Sequence, residues 1–279
     1  MILVNGAIHQ HISVSDRGFQ YGDGLFETIA VLNTCPVAFD RHLKRLKDGC
    51  KRLLIPFPGE EILLSEAQTL IAEQPTPAVL KIIITRGSGG RGYRQPDPIN
   101  ATRVLSLHPY PDYPISYQEH GITARFCETR LGLNPLLAGL KHLNRLEQVL
   151  ARAEWNDGSI QEGLMLDIND QVIEGTMSNL FYIKSHTLYT PPLTLSGIAG
   201  IMRGIIIQLA THEGLSVIEQ PTTKAELLVA DELFVCNSII GIWPIKKLDE
   251  HDHFRCGSVT QHLQTLLNHF RNEGNLNVF

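Results

Sequence analysis

Apolar residues recur with the spacing of one helix face in several stretches of the chain. Between 40 and 55 the apolar positions from Leu43 to Leu53 fall on one side of a predicted helix. Asp40 would cap this helix and Pro56 would end it. The same kind of pattern predicts further helices at 59–73, 201–212, 224–229 and 258–271.

Shorter apolar runs bounded by turn residues predict β-strands. Asn5-Gly6 follows the first of these runs, and Asn169-Asp170 separates two others, so each pair of residues predicts a hairpin turn. Strands are predicted at 2–4, 26–31, 79–85, 102–107, 122–127, 163–168, 171–174, 178–183 and 232–236. Since both halves of the chain mix strands with helices, the sequence predicts an α/β (α+β) fold.

A proline-rich segment is the best candidate for a domain linker. Three prolines in Pro109-Tyr110-Pro111-Asp112-Tyr113-Pro114 favour an extended, stiff connection. A chain of 279 residues is long enough for two modest domains. We therefore predict a smaller N-terminal α/β domain at 1–109, a linker at 110–118 and a larger C-terminal α/β domain at 119–279.

Composition narrows the classes of protein to consider. The formal net charge of −5 argues against a general nucleic-acid binder. No apolar run approaches the length of a membrane span, and the first residues lack the features of a signal peptide. The five cysteines are odd in number and form no CxxC pair, which is typical of reduced, mostly buried thiols. These features predict a cytoplasmic protein.

Lys141 is the first candidate for chemistry. It follows small apolar residues and precedes a helix on which Leu143, Leu146 and Val149 would share a face. Asn144, with Glu147 three positions later, resembles a helix-start cap. A partly desolvated lysine has a lowered pKa and can act as a nucleophile or base. The alternative is a lysine that projects into solvent at a helix start.

Four segments then occur in a characteristic order. They are Asp16–Gly24, Leu140–Leu146, Glu174–Phe181 and Gly200–Arg203. Together they resemble the fold-type IV enzymes that depend on pyridoxal 5'-phosphate, a family of branched-chain and D-amino-acid aminotransferases and aminodeoxychorismate lyases. This resemblance implies two α/β domains with the cofactor between them, and a homodimer that completes its pocket across the interface.

Within this family, three segments look most like those of the lyases. The segments are Phe26-Glu27-Thr28, Arg86–Tyr93 and Lys141–Gln148. The resemblance implies conversion of 4-amino-4-deoxychorismate to 4-aminobenzoate and pyruvate, a step of folate synthesis. A D-amino-acid or branched-chain aminotransferase on the same scaffold is the alternative. A protein of the same fold that binds no cofactor is a third hypothesis, and it predicts a colourless preparation.

The resemblance also assigns cofactor-binding residues. Lys141 would hold the cofactor as a Schiff base and move the proton, and Glu174 would lie beside its ring nitrogen. A helix start favours an anion, so the phosphate would meet the amides of Ile201 and Met202. Polar side chains would add contacts, namely the matching cation Arg45 together with Asn237 and Ser238. Alternatively, Arg45 belongs to a solvated basic helix face, and Glu174 is an exposed residue at a strand end.

Substrate recognition is predicted around a glycine-rich loop and a strand. Arg91 and Tyr93 occupy the loop that reaches a carboxylate across the dimer interface in the D-amino-acid aminotransferases that this chain resembles. Arginine suits a carboxylate because its two parallel N–H groups match the two oxygens. Phe26 would contact the substrate, and the hydroxyl of Thr28 would hydrogen-bond or relay a proton. The alternatives are a loop without a ligand and a Thr28 without a catalytic role.

Two histidine pairs suggest a metal site at first sight. His9 and His11, and likewise His251 and His253, are each separated by one residue. Neither pair has an evident third ligand nearby in the sequence. We therefore predict no metal.

Overall fold

The structure is a computed structural model that describes residues 1–72, 76–252 and 254–273. The chain divides into two compact units. The first contains Met1–Pro111, the short segment Leu140–Asn144 and, within the described range, residues 271–273. The second contains Asp112–Gly139 and Arg145–Phe270. Each unit contains both strands and helices, as the sequence predicted.

The first unit is built on a six-stranded antiparallel sheet. The strands lie in the order β2-β1-β6-β5-β3-β4, and α2 packs on β3 while α3 packs on β6. Its elements are β1 (Ile2–Val4), β2 (Ala7–Ile8), α1 (Arg17–Tyr21), β3 (Gly24–Leu32), β4 (Cys35–Pro36), α2 (Phe39–Leu53), α3 (Glu60–Ala72), β5 (Ala78–Thr85) and β6 (Thr102–Pro109).

Alternation along β3 explains which face of this sheet is buried. Leu25 and Ile29 are almost fully buried, whereas Phe26 and Thr28 on the opposite face are half-buried. On β5, Ile82 is buried in the same way and Lys81 is half-buried. One face of the sheet therefore belongs to the core, and the other keeps side chains accessible.

The predicted cap of α2 is wrong. The N-cap is Ala38, whose φ of 52° is left-handed, and Asp40 lies in the first turn instead. An acidic side chain in the first turn still stabilises the helix, because it lies at the positive end of the helix dipole. The helix ends at Leu53, because Leu54 adopts a left-handed φ of 56° two residues before Pro56.

The second unit is built on an eight-stranded mixed sheet. Its order is β12-β11-β10-β13-β14-β7-β8-β9, and a further pairing joins β9 to β10, so the sheet curls back on itself. The elements are α4 (Ser116–Glu119), β7 (Ile122–Leu131), α5 (Leu146–Arg152), β8 (Glu162–Asp167), β9 (Val172–Gly175), β10 (Asn179–Lys184), β11 (Thr187–Thr190), α6 (Ile201–His212), β12 (Val217–Glu219), α7 (Lys224–Leu228), β13 (Glu232–Asn237), β14 (Gly241–Leu248) and α8 (Ser258–Glu273).

Trp243 is a buried residue in the core of this second unit. Its side chain is 1% exposed. Tyr113 and Tyr117 meet it edge-on, at ring-centroid distances of 4.8 and 5.2 Å. Edge-to-face packing suits aromatic rings, whose edges and faces carry opposite partial charges. No helix in the described residues has the length and apolar character needed to cross a membrane.

The helix after Lys141 differs from its prediction. It begins at Leu146 with Arg145 as N-cap, and Asn144 donates its side-chain amide to the carbonyl of Gly22 instead of capping the helix. The shared apolar face is exposed: Leu146, Val149 and Leu150 are 75%, 61% and 60% accessible. The apolar spacing therefore corresponds to an exposed face of α5, and not to a face that packs into the core.

Lys141 also groups differently from the domain prediction, which placed it in the C-terminal domain. The segment 140–144 belongs to the first unit because it pairs with the start of β3. Phe26 donates its N–H to the carbonyl of Lys141 at 3.0 Å, and Leu143 donates to Gly24 at 3.0 Å. The predicted linker at 110–118 stays a prediction.

Candidate active site

In the first unit, the Lys141 side chain lies against an aromatic ring of β3. Its Nζ is 4.3 Å from the centroid of Phe26, a distance typical of a cation–π contact. The backbone pairing with β3 fixes this position. A half-buried amine held over a half-buried ring is accessible to a small molecule. The structure thus brings together two of the predicted residues, Lys141 and Phe26.

Lys81 lies against the same ring and was not predicted. Its Nζ is 5.7 Å from the Phe26 centroid, and its Cα lies directly opposite that of Thr28. On its other side Lys81 is opposite Ser106 of β6. Directly opposite residues of antiparallel strands share a face. Thr28 and Lys81 are therefore neighbours on the accessible face of the sheet, and the buried Ser106 follows them on the same face.

Arg45 belongs to a buried charged cluster on the other face of β3. Its Nε and one Nη donate to the two oxygens of Glu27, at 2.8 and 2.5 Å. The Nδ1 of His42 lies 2.6 Å from the same carboxylate. We refer to Glu27, His42 and Arg45 as the charged cluster. Arg45 is thus not part of a solvated basic face, and the sequence reasoning missed its two partners.

The pKa shifts of Glu27 and His42 indicate which of these groups are charged. Burial by itself would raise the pKa of Glu27, but the charge of Arg45 and the contact with His42 lower it to about 2. Burial lowers the pKa of His42, Glu27 opposes this, and the charges of Arg45 and Lys141 add to the lowering, so that the pKa lies below its ordinary value. Glu27 is therefore ionised and His42 neutral near pH 7. Because a carboxylate only accepts hydrogen bonds, the His42 proton is on Nδ1.

The glycine-rich loop is held by Arg17. The Arg17 guanidinium donates to the carbonyls of Gly92, Tyr93 and Arg94 at 2.8, 3.5 and 3.4 Å. The Tyr93 side chain is 87% exposed, and Arg91 is exposed as well. These two predicted substrate residues therefore lie at the surface of the chain.

Arg86 has a structural role at the start of the same loop. It is 4% exposed and donates to both oxygens of Asp23. It also donates to the carbonyls of Leu53 and Leu54, at the end of α2. These contacts tie the start of the loop to Asp23 and to the end of α2.

In the second unit, Glu174 is a buried carboxylate with fixed orientation. It is 3% exposed, and its Oε2 accepts the N–H of Ile198 at 2.8 Å and the Asn179 amide at 3.5 Å. Asn179 also donates to the carbonyl of Ile198 at 2.9 Å. The charge of Glu174 acts on Arg145, whose pKa burial lowers. Glu174 is therefore not an exposed strand-end residue.

The start of α6 lies near Glu174, because Asn179 contacts both Glu174 and Gly200. Gly200 is the N-cap and forms no side-chain cap, so the first amides of the helix, at Ile201 and Met202, have no acceptor within the helix. A side chain at Gly200 would collide with the Asn179 amide. This packing brings the backbone close to Asn179 and leaves a helix start suited to an anion.

Asn237 takes part in a turn. Its Oδ1 accepts the N–H groups of Ile239 and Ile240, and its amide donates to the carbonyl of Met177. Ser238 is a half-buried residue of the same turn. The hydrogen bonds of Asn237 shape the connection between β13 and β14, and its predicted contact with the cofactor stays a prediction.

Each unit, taken by itself, contains groups that suit pyridoxal phosphate. The first unit offers an amine at Lys141 and a guanidinium at Arg45. The second unit offers the buried carboxylate of Glu174, which suits a protonated ring nitrogen, and a helix start that suits a phosphate. Among the described residues no group of three potential ligands could hold a metal ion, and His253 lies outside them.

Comparisons with known proteins extend over nearly the whole chain. The family model described as amino-transferase class IV matches residues 24–248. An aminodeoxychorismate lyase from Vibrio harveyi is 39% identical over 271 residues, which cover 96% of this chain and 100% of the relative.

Two solved structures are also closely similar. The 4-amino-4-deoxychorismate lyase from Pseudomonas aeruginosa has a TM-score of 0.93 at 45% identity, over 98% of this chain and 100% of that chain. The branched-chain amino acid aminotransferase from Escherichia coli has a TM-score of 0.89 at 28% identity, over 100% of this chain and 96% of that chain.

Proposed function

The chain belongs to the amino-transferase class IV family, and we propose that it is a pyridoxal-phosphate-dependent lyase. Its substrate is 4-amino-4-deoxychorismate, and its products are 4-aminobenzoate and pyruvate, as in folate synthesis. The observation that carries the proposal is the full-length similarity to two proteins of that name, at 39% and 45% identity.

Lys141 would hold the cofactor, and its amine, once displaced by the substrate amine, would move the proton. Pyridoxal phosphate, when bound, supplies a carbonyl carbon for an imine and a ring that accepts negative charge. The Lys141 amine removes the proton from the substrate ring carbon that bears nitrogen. The bond between the ring and the enolpyruvyl oxygen breaks, and Lys141 returns a proton so that the side chain leaves as pyruvate. Loss of these groups makes the ring aromatic.

The other residues hold charge where it is needed. Glu174 keeps a proton on the cofactor ring nitrogen, and the amides of Ile201 and Met202 bind the phosphate with Arg45. Thr28 assists the proton return, and Asn237 and Ser238 add polar contacts. Phe26 packs against the substrate. These roles rest on the family resemblance, and the burial of Glu174 and the position of Lys141 support them.

The decisive experiment supplies both kinds of substrate to the purified enzyme. Aminodeoxychorismate should give 4-aminobenzoate and pyruvate in equal amounts. An aminotransferase would instead transfer the amino group of a D- or branched-chain amino acid to 2-oxoglutarate. Transfer without lyase activity would favour this second candidate, which the match to the Escherichia coli aminotransferase supports.

The Lys141→Ala variant tests the cofactor assignment. It should lose the visible absorption of the bound cofactor and its borohydride-stable attachment, since no other residue is proposed to form this bond. A variant that kept the attachment would refute the role of Lys141. A colourless wild-type protein that takes up no cofactor would favour a binding protein of the same fold.

The protein is also proposed to be a homodimer. Leu146, Val149 and Leu150 form an exposed apolar face of α5, which is typical of an interface between subunits. The surface positions of Arg91 and Tyr93 suit contact with a carboxylate in the partner's site. Sedimentation equilibrium of the wild type should give twice the 31.1 kDa chain mass. A monomer at the concentrations used for the assay would contradict the proposal.

We also propose that the protein is a cytoplasmic enzyme that acts on a small molecule, without nucleic acid or membrane partners. The net charge of −5 and the five free cysteines support it. Fractionation of the source cells, followed by the lyase assay on each fraction, tests the location.

A further inference from the structure

The charged cluster contains two residues, Glu27 and His42, that the proposed function does not use. Glu27 is 1% exposed and His42 is 0% exposed. Burying an ionised carboxylate is costly unless its partners satisfy it. Here both oxygens of Glu27 are engaged, one by Arg45 alone and the other by Arg45 and His42. A buried ion pair often adds little net stability. Stability alone therefore does not explain why this pair is present.

The way in which Arg45 binds Glu27 determines which N–H groups of the guanidinium point away from the carboxylate. Glu27 binds the side of the guanidinium formed by Nε and one Nη. The guanidinium is planar and its donors point in fixed directions. The edge formed by the two Nη atoms is therefore turned away from the Glu27 carboxylate, and this is the edge that can form two parallel hydrogen bonds with a phosphate.

His42 restrains the carboxylate from a second direction. It lies three residues before Arg45 on α2, so the two side chains share a helix face. Its Nδ1–H donates to the Glu27 oxygen that also accepts from the Arg45 Nη. Rotation of the carboxylate would break both contacts. The orientation of Arg45 thus depends on Glu27, and that of Glu27 on His42.

We propose that Glu27 and His42 are positioning residues that aim the Arg45 guanidinium at the phosphate of pyridoxal phosphate. This inference rests on the proposed cofactor and goes beyond the residues assigned to it. The competing interpretation is that the cluster only ties β3 to α2. A structural tie would affect binding of any cofactor to the same extent, whereas a positioning role is specific to the phosphate.

Pyridoxal, which lacks the phosphate, separates the two interpretations. Dissociation constants for pyridoxal phosphate and for pyridoxal are measured on the full chain after cofactor removal, by titration of the visible absorption. In the Glu27→Gln variant we expect weaker binding of pyridoxal phosphate by about tenfold or more, and unchanged binding of pyridoxal. The His42→Phe variant should show the same pattern to a smaller extent. The His42→Asn variant should bind pyridoxal phosphate more tightly than His42→Phe does, because its side-chain amide can donate in place of Nδ1–H.

A second ion pair in the same unit provides a matched control. Arg103 also binds Glu66 through Nε and one Nη, at 2.8 and 2.7 Å, and joins β6 to α3. The Glu66→Gln variant should lower stability without changing the ratio of the two dissociation constants. Equal weakening of both ligands in Glu27→Gln would overturn the inference.

A double-mutant cycle tests whether Glu27 acts through Arg45. If it does, adding Glu27→Gln to Arg45→Gln causes no further loss of pyridoxal phosphate affinity. The double variant also removes both charges together, so it remains useful if Glu27→Gln alone fails to fold. An additive loss would overturn the inference. A wild type that binds neither ligand would instead refute the proposed function itself.

Discussion

Thr28 and Lys81 lie directly opposite each other on β3 and β5, on the accessible face of the first sheet. Lys81 and Lys141 both lie against the ring of Phe26. Within the described part of the chain, no carboxylate forms an ion pair with Lys81. An anion bound beside Phe26 would pair with the Lys81 ammonium group. The substrate of the proposed reaction carries two carboxylates.

The Lys81→Gln variant should therefore bind substrate poorly. We expect the KM for aminodeoxychorismate to rise about tenfold or more, with a smaller change in kcat, because a charge-assisted hydrogen bond is lost. Steady-state kinetics with the cofactor at saturation measure both values. Lys184→Gln, at an exposed strand position, is the control. An unchanged KM would remove Lys81 from the substrate site.

Inhibition by the two products tests which of the two substrate carboxylates Lys81 binds. If it binds the ring carboxylate, 4-aminobenzoate should inhibit the Lys81→Gln variant less than the wild type. If it binds the side-chain carboxylate, pyruvate should lose its inhibition instead.

Replacing Thr28 by valine tests the role of its hydroxyl. The side chains have nearly the same shape, so the fold should be kept while the proton donor is lost. We expect kcat to fall about tenfold to a hundredfold, and the absorption of the bound cofactor to stay the same. Thr28→Ser should recover most of the activity. Full activity in Thr28→Val would assign Thr28 a purely structural role as a β-branched strand residue.

Glu162 should be essential for the turn between β9 and β10. It is fully buried and accepts the N–H and hydroxyl of Thr176 at 3.0 and 2.6 Å, and the hydroxyl of Ser178 at 2.6 Å. Glu162→Ala leaves these donors without an acceptor, so the free energy of unfolding should fall by about 3–5 kcal/mol. Chemical denaturation measures the change. Glu162→Gln should cost less because one oxygen remains, and Glu250→Ala, at an exposed position, should cost little.

Stability should fall in two stages as the pH is lowered. The folded-state pKa of His42 lies below 6.5, so its contribution is complete above pH 6.5 and is lost as the pH falls further. Glu27 has a folded-state pKa of about 2 against an ordinary 4.5, so its contribution is lost between about pH 4.5 and 2. Denaturation curves of the cofactor-free protein at several pH values test this. His42→Asn should flatten the upper stage, and a profile identical to that of the wild type would contradict the assignment.

Cys35 should be the cysteine that reacts fastest with a thiol reagent. It is exposed, whereas burial raises the pKa values of Cys50, Cys127 and Cys236 to about 12. Labelling of the native protein, followed by peptide mapping, should find the label first at Cys35. The Cys35→Ser variant should lose the fast phase. Equally rapid labelling of Cys236 would show that the second unit opens readily.

The sequence predicted those parts of the fold that local periodicity determines. The helices α2 and α6 and the strand β5 are close to their predicted bounds because their apolar patterns are long and regular. The five-residue helix α1 was not predicted. It depends on the Asp16 side chain, which accepts the N–H of Gly18, and such a short helix has no period of its own. The helix predicted at 59–73 extends to the last residue described before the gap, Ala72.

Site residues with recognisable motifs could be found, but their partners could not. A signal for Glu27 was present, since it interrupts the apolar alternation of Leu25, Ile29 and Val31. A charged residue on a buried strand face requires a partner, and the sequence does not show that α2 supplies one. Lys81 gave no comparable signal, because its proximity to Phe26 arises from the register between β3 and β5.

The grouping of residues 140–144 with the first unit affects how the protein can be divided. This unit is assembled from separate stretches of the chain, and the five residues that carry Lys141 come from between two stretches of the second unit. A fragment ending at Pro111 would retain Glu27 and Arg45 but lack the lysine and the backbone hydrogen bonds that it forms with β3. The N-terminal unit is therefore not a transferable module. Dividing the gene at the proline-rich segment would separate the proposed phosphate-binding arginine from the amine that anchors the cofactor.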